Sequence, residues 1–535
     1  MSKLWRTLVF DGQLWQDVDL RAFPATSINF LASLVQLSGP FIKNLDLSGY
    51  TYLSPATLID MAGGLCVRCP PIMNFTCTQL TAITLQGCTS LTTQSLHSLL
   101  VRSPFLCSLN VKGLQVVTNA TLDVLALCSH LKSLNMSRCP NIGGDGVHAF
   151  AAAVMARGAR LALKELRLCG LPMISDDMMT ALGKAAPHLE VLDLSYCPSL
   201  HNSALEAFVS CAEDEKGCGE TVLLTAREAG RDPRDWHRYR RRVTALRHIS
   251  LSNCTMLTDT ACSNLAHSVP RLEFLELGGI GKTLMDDGLV HLLGTTPFIR
   301  KLDLEDASDI TDAVLEVLTP EPAVEVAYAT SSKGKEPPKP GHALEHLTVS
   351  NATDLTDDAF RALIRGCPKL RVLEADNTSI SGTVLKEFVR RVRERGTDDA
   401  ALVIVDCRLV GEHSVKDVVV NTRPRRGWRS WEARKLGYLD GRDGEDVKVG
   451  QDECDEKRVV IKSFYGWQTV DAVRHARERK KKVNKKALNA SGYASDPDEG
   501  VKPSWRTKWW APISGAPSGN NTPGDDGDRV GCVVM

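Results

Sequence analysis

A short apolar motif, Leu-x-x-Leu-x-Leu, recurs along this chain at a period that one globular core does not need. Its first apolar residue falls at Trp15, Ile42, Leu80, Leu106, Leu131, Leu163, Leu189, Leu246, Leu272, Ile299, Leu344, Leu370 and Leu402. The clearest copy is Leu189 to Cys211, LEVLDLSYCPSLHNSALEAFVSC. There Leu189, Leu192 and Leu194 give a short strand closed by Cys197, and Leu200, Ala204, Leu205 and Phe208 follow at helical spacing. One strand and one helix cannot bury both apolar faces alone, so the unit demands stacked neighbours. The expected fold is an α/β solenoid, curved, with parallel strands on the concave face and helices outside. At 535 residues the chain is long for a single core, but each repeat of a solenoid touches only its neighbours.

Successive motifs are often 26 residues apart, as from Leu80 to Leu106 and from Leu246 to Leu272. That period, with Cys or Asn after the motif, resembles the cysteine-containing leucine-rich repeats of F-box and ribonuclease-inhibitor-like proteins. Cys88, Cys139, Cys197 and Cys254 follow the strand, while Cys128, Cys211 and Cys367 close the helix. In that register the cysteines read as small buried thiols of a reduced compartment rather than bridges. Leu257-Thr258-Asp259 returns as Ile310-Thr311-Asp312 and Leu355-Thr356-Asp357. Thr can cap the free N–H groups of the helix that follows, and an acid there favours its positive end.

The solenoid is expected over residues 23–410, with insertions at about 212–243 and 320–341. The first insertion ends in Trp236-His237-Arg238-Tyr239-Arg240-Arg241-Arg242, which reads as a grip for phosphate or an acidic partner, or as a solvated helix face. Residues 411–476 keep aromatics and read as a C-terminal cap. From 477 the Gly, Ser, Pro, Asn and Asp content predicts a disordered tail.

Residues 1–22 resemble the C-terminal half of an F-box, through Trp5-Arg6, Leu14-Trp15 and Asp19-Leu20. The resemblance implies that Trp5, Leu14 and Trp15 contact the adaptor subunit of an SCF ubiquitin ligase. The earlier half of an F-box, which begins Leu-Pro, does not precede them here; a truncated start and a real loss of adaptor binding both stay open. The other reading is a hydrophobic cap in which Trp5 and Trp15 cover the first repeat.

Cys532-Val533-Val534-Met535 is a C-a-a-X box of the kind farnesyltransferase accepts. One lipid chain gives only marginal attachment, so a second membrane signal is expected. The run Arg477-Glu478-Arg479-Lys480-Lys481-Lys482, with Lys485 and Lys486, is basic but lies 46 residues before Cys532, and it also reads as a nuclear import signal. Lys502, Trp505, Arg506, Lys508, Trp509 and Trp510 lie closer and mix cations with indoles suited to the headgroup zone of an anionic membrane. The expected location is cytoplasmic, with membrane association through the prenylated end.

Net charge is zero, which gives no global pull toward nucleic acid, and no run of about 18 apolar residues predicts a spanning helix. Gly278-Gly279-Ile280-Gly281-Lys282-Thr283 ends like a phosphate-binding loop, but Glu276 stands where that motif needs its first glycine. Cys66-x-x-Cys69 with Cys77 lacks the second pair a zinc site needs. With neither a G-x-S-x-G elbow nor an H-E-x-x-H helix, nothing argues for an enzyme, a metal or a cofactor.

The residue between the second and third apolar positions should face the concave side, because strand side chains alternate. That column includes Asp193, Glu276, Asp303, Glu374 and Asp406, and Glu305, Asp306 and Asp376 extend it. Clustered carboxylates favour a partner segment rich in Lys and Arg; the plainer reading is that Leu-Asp-Leu is a habitual repeat spelling with solvated acids. By the resemblance, the chain would select a protein for ubiquitin transfer as an SCF subunit. The alternative is a leucine-rich-repeat scaffold without a ligase link.

Overall fold

The computed structural model describes residues 11–21, 23, 27–67, 76–212, 219–320, 339–418, 421–423 and 459–462. Trp5, Cys69, the second insertion, the tail positions 502–510 and Cys532 lie outside the described residues.

Each repeat places a three-residue strand before a helix, as in Val191–Asp193 and Asn202–Val209. The motif leucines are inside: Leu189, Leu192, Leu194 and Leu200 are all buried, and burying each such side chain is worth roughly 1.5–3 kcal/mol. The strands form one fifteen-stranded sheet, paired in chain order from Asp17–Asp19 to Ala401–Val403 and skipping only the first insertion. Strand Val459–Lys462 then pairs with Ala401–Val403, and Thr422–Arg423 pairs beyond it. Every pairing in this sheet is parallel, and strand register repeats from copy to copy, with Leu192 beside Leu166 and Ile249. This is a leucine-rich-repeat architecture, an open sheet alternating with helices.

Three polar ladders run alongside the apolar one. The first uses thiols: Cys88 donates to the Leu47 carbonyl at 3.1 Å, Cys139 to Val111 at 3.2 Å and Cys254 to Leu194 at 3.1 Å. Burial pushes the Cys88 and Cys254 thiols up to about 11 and Cys197 to about 12, so they behave as protonated, unreactive core groups. Cys211 departs from the all-thiol expectation, because it is disulfide-bonded, with its partner outside the described residues.

The second ladder explains the Thr-Asp phrase. Thr311 and Thr356 cap their own helices, accepting from Ala313 and Ala359 N–H at 3.4 Å each. The Asp beside each cap serves the next repeat instead. Asp312 accepts from the Thr356 N–H at 2.8 Å and its hydroxyl at 2.7 Å, and Asp286 does the same for Thr311 at 2.8 and 2.6 Å. Asn202 makes the same clasp on Thr258, accepting from its N–H at 3.1 Å and donating to its hydroxyl at 2.9 Å. The acid therefore staples repeats together as well as favouring the positive end of its helix.

The third ladder lies in the turn after each strand, where one residue takes a left-handed conformation: Gly279, Asp306, Asn351, Asn377 and Asp406 have φ between 51° and 74°. Asn351 donates to Asp306 at 2.6 Å and Asn377 donates to Asn351 at 2.8 Å. Gly279 belongs to the segment that imitates a phosphate loop. Its N–H donates to the Glu305 carbonyl at 2.9 Å, and the Thr283 hydroxyl donates to the Leu257 carbonyl at 2.9 Å. Two donors of this turn are thus spent on neighbouring repeats, and the Ile280 N–H donates to the Leu277 carbonyl of its own strand.

The first insertion folds as an antiparallel hairpin, Thr221–Leu224 with Tyr239–Arg242. Its basic end is no helix face: Arg241 and Arg242 are buried on strand Tyr239–Arg242, whereas Trp236, His237 and Arg238 before them are exposed. Arg241 donates to the carbonyls of Ser263 at 3.0 Å, Ala266 at 3.3 Å and Ala229 at 3.0 Å. The first two close helix Asp259–Leu265, where a cation meets the negative end of the helix dipole. Arg242 does the same for helix Asn202–Val209, donating to the Phe208 carbonyl at 3.0 Å.

Candidate functional surface

Hydrogen-bonded strands stack about 4.8 Å apart, whereas packed helices need about 8–10 Å, so an array of both curves with its sheet inside. The second residue of each strand points into the helices and is buried. The first and third residues line the inner surface. The alternation rule applied to one column thus leaves out an equal one. In it stand Glu165, His248, Phe274, Lys301 and His346, and the same period-2 rule, counted two residues back, would have found them.

The third-position column runs in register from Asp19 to Glu374. Asp193, Glu276, Asp303 and Glu374 occupy it as expected from their spacing. Asp406 does not. Strand Ala401–Val403 sets Val403 beside Glu374, and Asp406 sits three residues on, in the left-handed turn with φ 58°. The last repeat carries Asp399 where the other copies have their first leucine, so Leu402 is its second apolar position and the motif was read three residues late.

Charge is compensated at one end of this surface and not at the other. Arg21 pairs with Asp19 at 2.6 Å and with Asp46 at 3.3 Å. Arg167 pairs with Glu165 at 2.5 Å and reaches Asp193 at 4.0 Å. Glu276 has the densest set of partners: Lys301 donates at 2.8 Å, Ser250 donates at 2.9 Å, and His248 Nε2 stands 3.7 Å away. His248 first, then Lys301 and Ser250, hold the Glu276 carboxyl far below the usual carboxylate range against the burial that opposes them. At 3.7 Å, His248 Nε2 stands too far from Glu276 for a hydrogen bond.

Beyond Glu276 the balance changes. Burial pushes the Asp303 carboxyl above its ordinary range, with Glu276 and Glu374 adding to it. Burial likewise raises Glu305, helped by Asp303, Asp306, Glu374 and Asp376. These five acids therefore stand within one another's field, as their spacing in the repeat implies. Among the described residues no cation pairs with Asp303, Glu305 or Asp306; His346 lies 3.5 Å from Glu374, and Asp376 accepts from the Val405 N–H at 2.7 Å. Beside the acids, Phe274 lies next to His248, with ring centroids 5.6 Å apart, and the Arg300 guanidinium stands 5.8 Å from its ring centre.

At the N-terminal end, Leu14 sits in the short helix Gly12–Trp15 and is two-thirds exposed, whereas Trp15 packs against the core. Trp15 thus packs with the first repeat, and among the described residues of the F-box-like set Leu14 faces solvent.

The Leucine Rich repeat family matches residues 127–151 and 185–209. Among solved structures, a chain in the crystal structure of the yeast Rad7 and Elc1 complex is similar, at 18% identity and TM-score 0.42, over 77% of this chain and 92% of that one. Fold and repeat match together define a leucine-rich-repeat protein-interaction scaffold. No helix among the described residues is long and apolar enough to cross a membrane.

Proposed function

We propose that the inner surface from Glu276 to Asp376 seats a Lys- and Arg-rich segment of a protein partner. One observation carries this reading: the carboxyls of Asp303 and Glu305 sit above their ordinary range beside further acids, with no cation paired to them among the described residues. Burial is the largest cause of both shifts, Lys301 opposes it at Asp303, and the neighbouring acids add to it. A bound cation relieves that added repulsion, whereas fully solvated acids would behave as ordinary carboxylates. Reversing the charge of Asp303, Glu305, Glu374 and Asp376 together is expected to abolish capture of a Lys/Arg-rich peptide in a pull-down. Retained capture with unchanged salt dependence overturns the proposal. The pH arm has a definite sign. Seating a cation stabilises the ionised acids, so binding releases protons and weakens as pH falls. Because both carboxyls are raised, that weakening begins at a higher pH than ordinary Asp and Glu would give.

The N-terminal resemblance supports a further assignment, the substrate-recognition subunit of an SCF-type ubiquitin ligase. The exposure of Leu14 supports an adaptor contact at that residue. Leu14→Asp is expected to remove coprecipitation with the SCF adaptor while leaving peptide capture intact; wild-type chain that fails to coprecipitate the adaptor leaves the scaffold without a ligase role. The C-terminal C-a-a-X box supports membrane tethering by a farnesyl group on Cys532, aided by Lys502, Trp505, Arg506, Lys508, Trp509 and Trp510. Cys532→Ser is expected to shift the protein from pelleted membranes to the soluble fraction, and an unshifted distribution rejects the tether.

A further inference from the structure

The hairpin insertion meets the end of helix Asp259–Leu265 at a joint that also holds two imidazoles. Gly230 brings the insertion against the helix so closely that a Cβ there would stand 2.6 Å from the Ser263 Cβ. Arg241 spans the same joint, donating to Ser263 and Ala266 carbonyls on the helix side and to the Ala229 carbonyl on the hairpin side. The next residue after Ala266 is His267, in a left-handed conformation with φ 65°, and its N–H donates to the Thr295 hydroxyl at 3.2 Å. That bend sets its ring edge-on to His291 of helix Asp286–Gly294, with ring centroids 5.5 Å apart and planes at 72°. Both histidines are half-buried, and neither ring makes a hydrogen bond or ion pair among the described residues. Two charges face the pair from the hairpin, the Arg241 guanidinium and the Glu228 carboxylate. Glu228 is already engaged, accepting from the Thr225 N–H and hydroxyl at 2.8 Å each, and Arg238 also acts on it.

We propose that this joint is an acid-sensitive latch: protonation of the His267–His291 pair sets two imidazolium rings against each other and against Arg241, and loosens the hairpin from helix Asp259–Leu265. One carboxylate does not balance two imidazoliums and a guanidinium in a half-buried site. The sign follows from the ring environments. Burial holds both histidines below their ordinary value; Arg241 adds to this at both rings and His267 adds to it at His291, while Glu228 opposes it. Neutral rings therefore favour the closed joint, a stabilisation present above about pH 6.5 and lost as pH falls through the lowered values. The hairpin's other grip involves no imidazole: Arg242 donates to the Phe208 carbonyl at 3.0 Å, and Arg231 pairs with Glu206. Acid should thus free one side of the hairpin and leave the other held. The latch is independent of the acidic inner surface and stands or falls without it.

The test is hydrogen exchange of the full-length chain at about pH 7.5 and about pH 5.5, compared as protection factors so that the intrinsic pH dependence of exchange cancels. Protection across 225–231 and 263–268 is expected to fall about tenfold at the lower pH, while 206–209 keeps its protection. The double variant His267→Asn with His291→Phe removes both protons; Asn tolerates the left-handed backbone and Phe keeps the ring contact. It is expected to match wild type at the higher pH and to show no loss at the lower. Should it lose protection already at the higher pH, His291→Phe alone takes its place, with a smaller acid loss than wild type expected. Three results overturn the proposal: no acid loss in wild type, an equal loss in the histidine variant, or a loss that extends equally to 206–209.

Discussion

Replacing Arg241 with methionine is expected to release the hairpin insertion from the repeat array and cost about 3 kcal/mol locally, roughly 1 kcal/mol for each of the carbonyls left without its donor. The guanidinium is almost fully buried, and burial pulls it down to about 10, still high enough to keep it charged at neutral pH. Its partners are the carbonyls of Ser263, Ala266 and Ala229. Methionine fills similar volume but leaves those carbonyls without their donor in a dry site, so the loss is that of unsatisfied buried groups rather than of packing. Lysine should not rescue, because one ammonium cannot reproduce the planar fork that reaches three acceptors. Repeat arrays need not unfold in one step, so a melting temperature alone is a poor readout. Hydrogen exchange is the sharper one: faster exchange across 219–243 and the end of helix Asp259–Leu265 is expected. Protection equal to wild type in both would show that the arginine is dispensable.

Gly288→Ala is the second large effect. Helix Asp286–Gly294 begins so close to its predecessor that a Cβ on Gly288 would lie 1.9 Å from the Asp259 carbonyl oxygen and 2.5 Å from its carbon. The obstacle is backbone, so no rotamer change clears it and two helices must separate. Overpacking of this kind costs about 3 kcal/mol. In urea, the repeats around Asp259 and Asp286 should unfold at lower concentration than the rest, followed by fluorescence from a tryptophan placed there. An unchanged midpoint would mean that the helices part freely. Gly294, in the same helix, meets nothing within 4 Å, so Gly294→Ala is the matched control and should be neutral or mildly stabilising.

The apolar ladder was legible in the sequence because leucine burial is a side-chain property with a fixed period. Twelve of the motif positions, from Trp15 to Leu370, fall in the register the strands adopt. The last repeat was misread because Ala401-Leu402-Val403-Ile404 is apolar in both possible frames and its leading leucine is replaced by Asp399. The insertion was misread for a different reason. Arg241 and Arg242 satisfy backbone carbonyls, and no pattern of side chains announces which helix ends lie nearby. The Thr-Asp phrase was recognised as a helix start, but its role between repeats needed the spacing of adjacent turns, which only the stacked array supplies. On the inner surface, the acidic column was visible one residue at a time. That Glu276 has a paired cation while Asp303 and Glu305 do not depends on Lys301, from the neighbouring column.

An array whose units hold only their neighbours comes apart like a zip, peeling inward from a loose end. The hairpin changes that, because one strand grips the tail of helix Asn202–Val209 with Arg242 and the tail of helix Asp259–Leu265 with Arg241. It acts as a rivet across the seam between two units, and a peel that begins at Asp17 should stall on reaching it. The half that follows, where the acids without a paired cation lie, can then keep its shape while the first half frays and closes again.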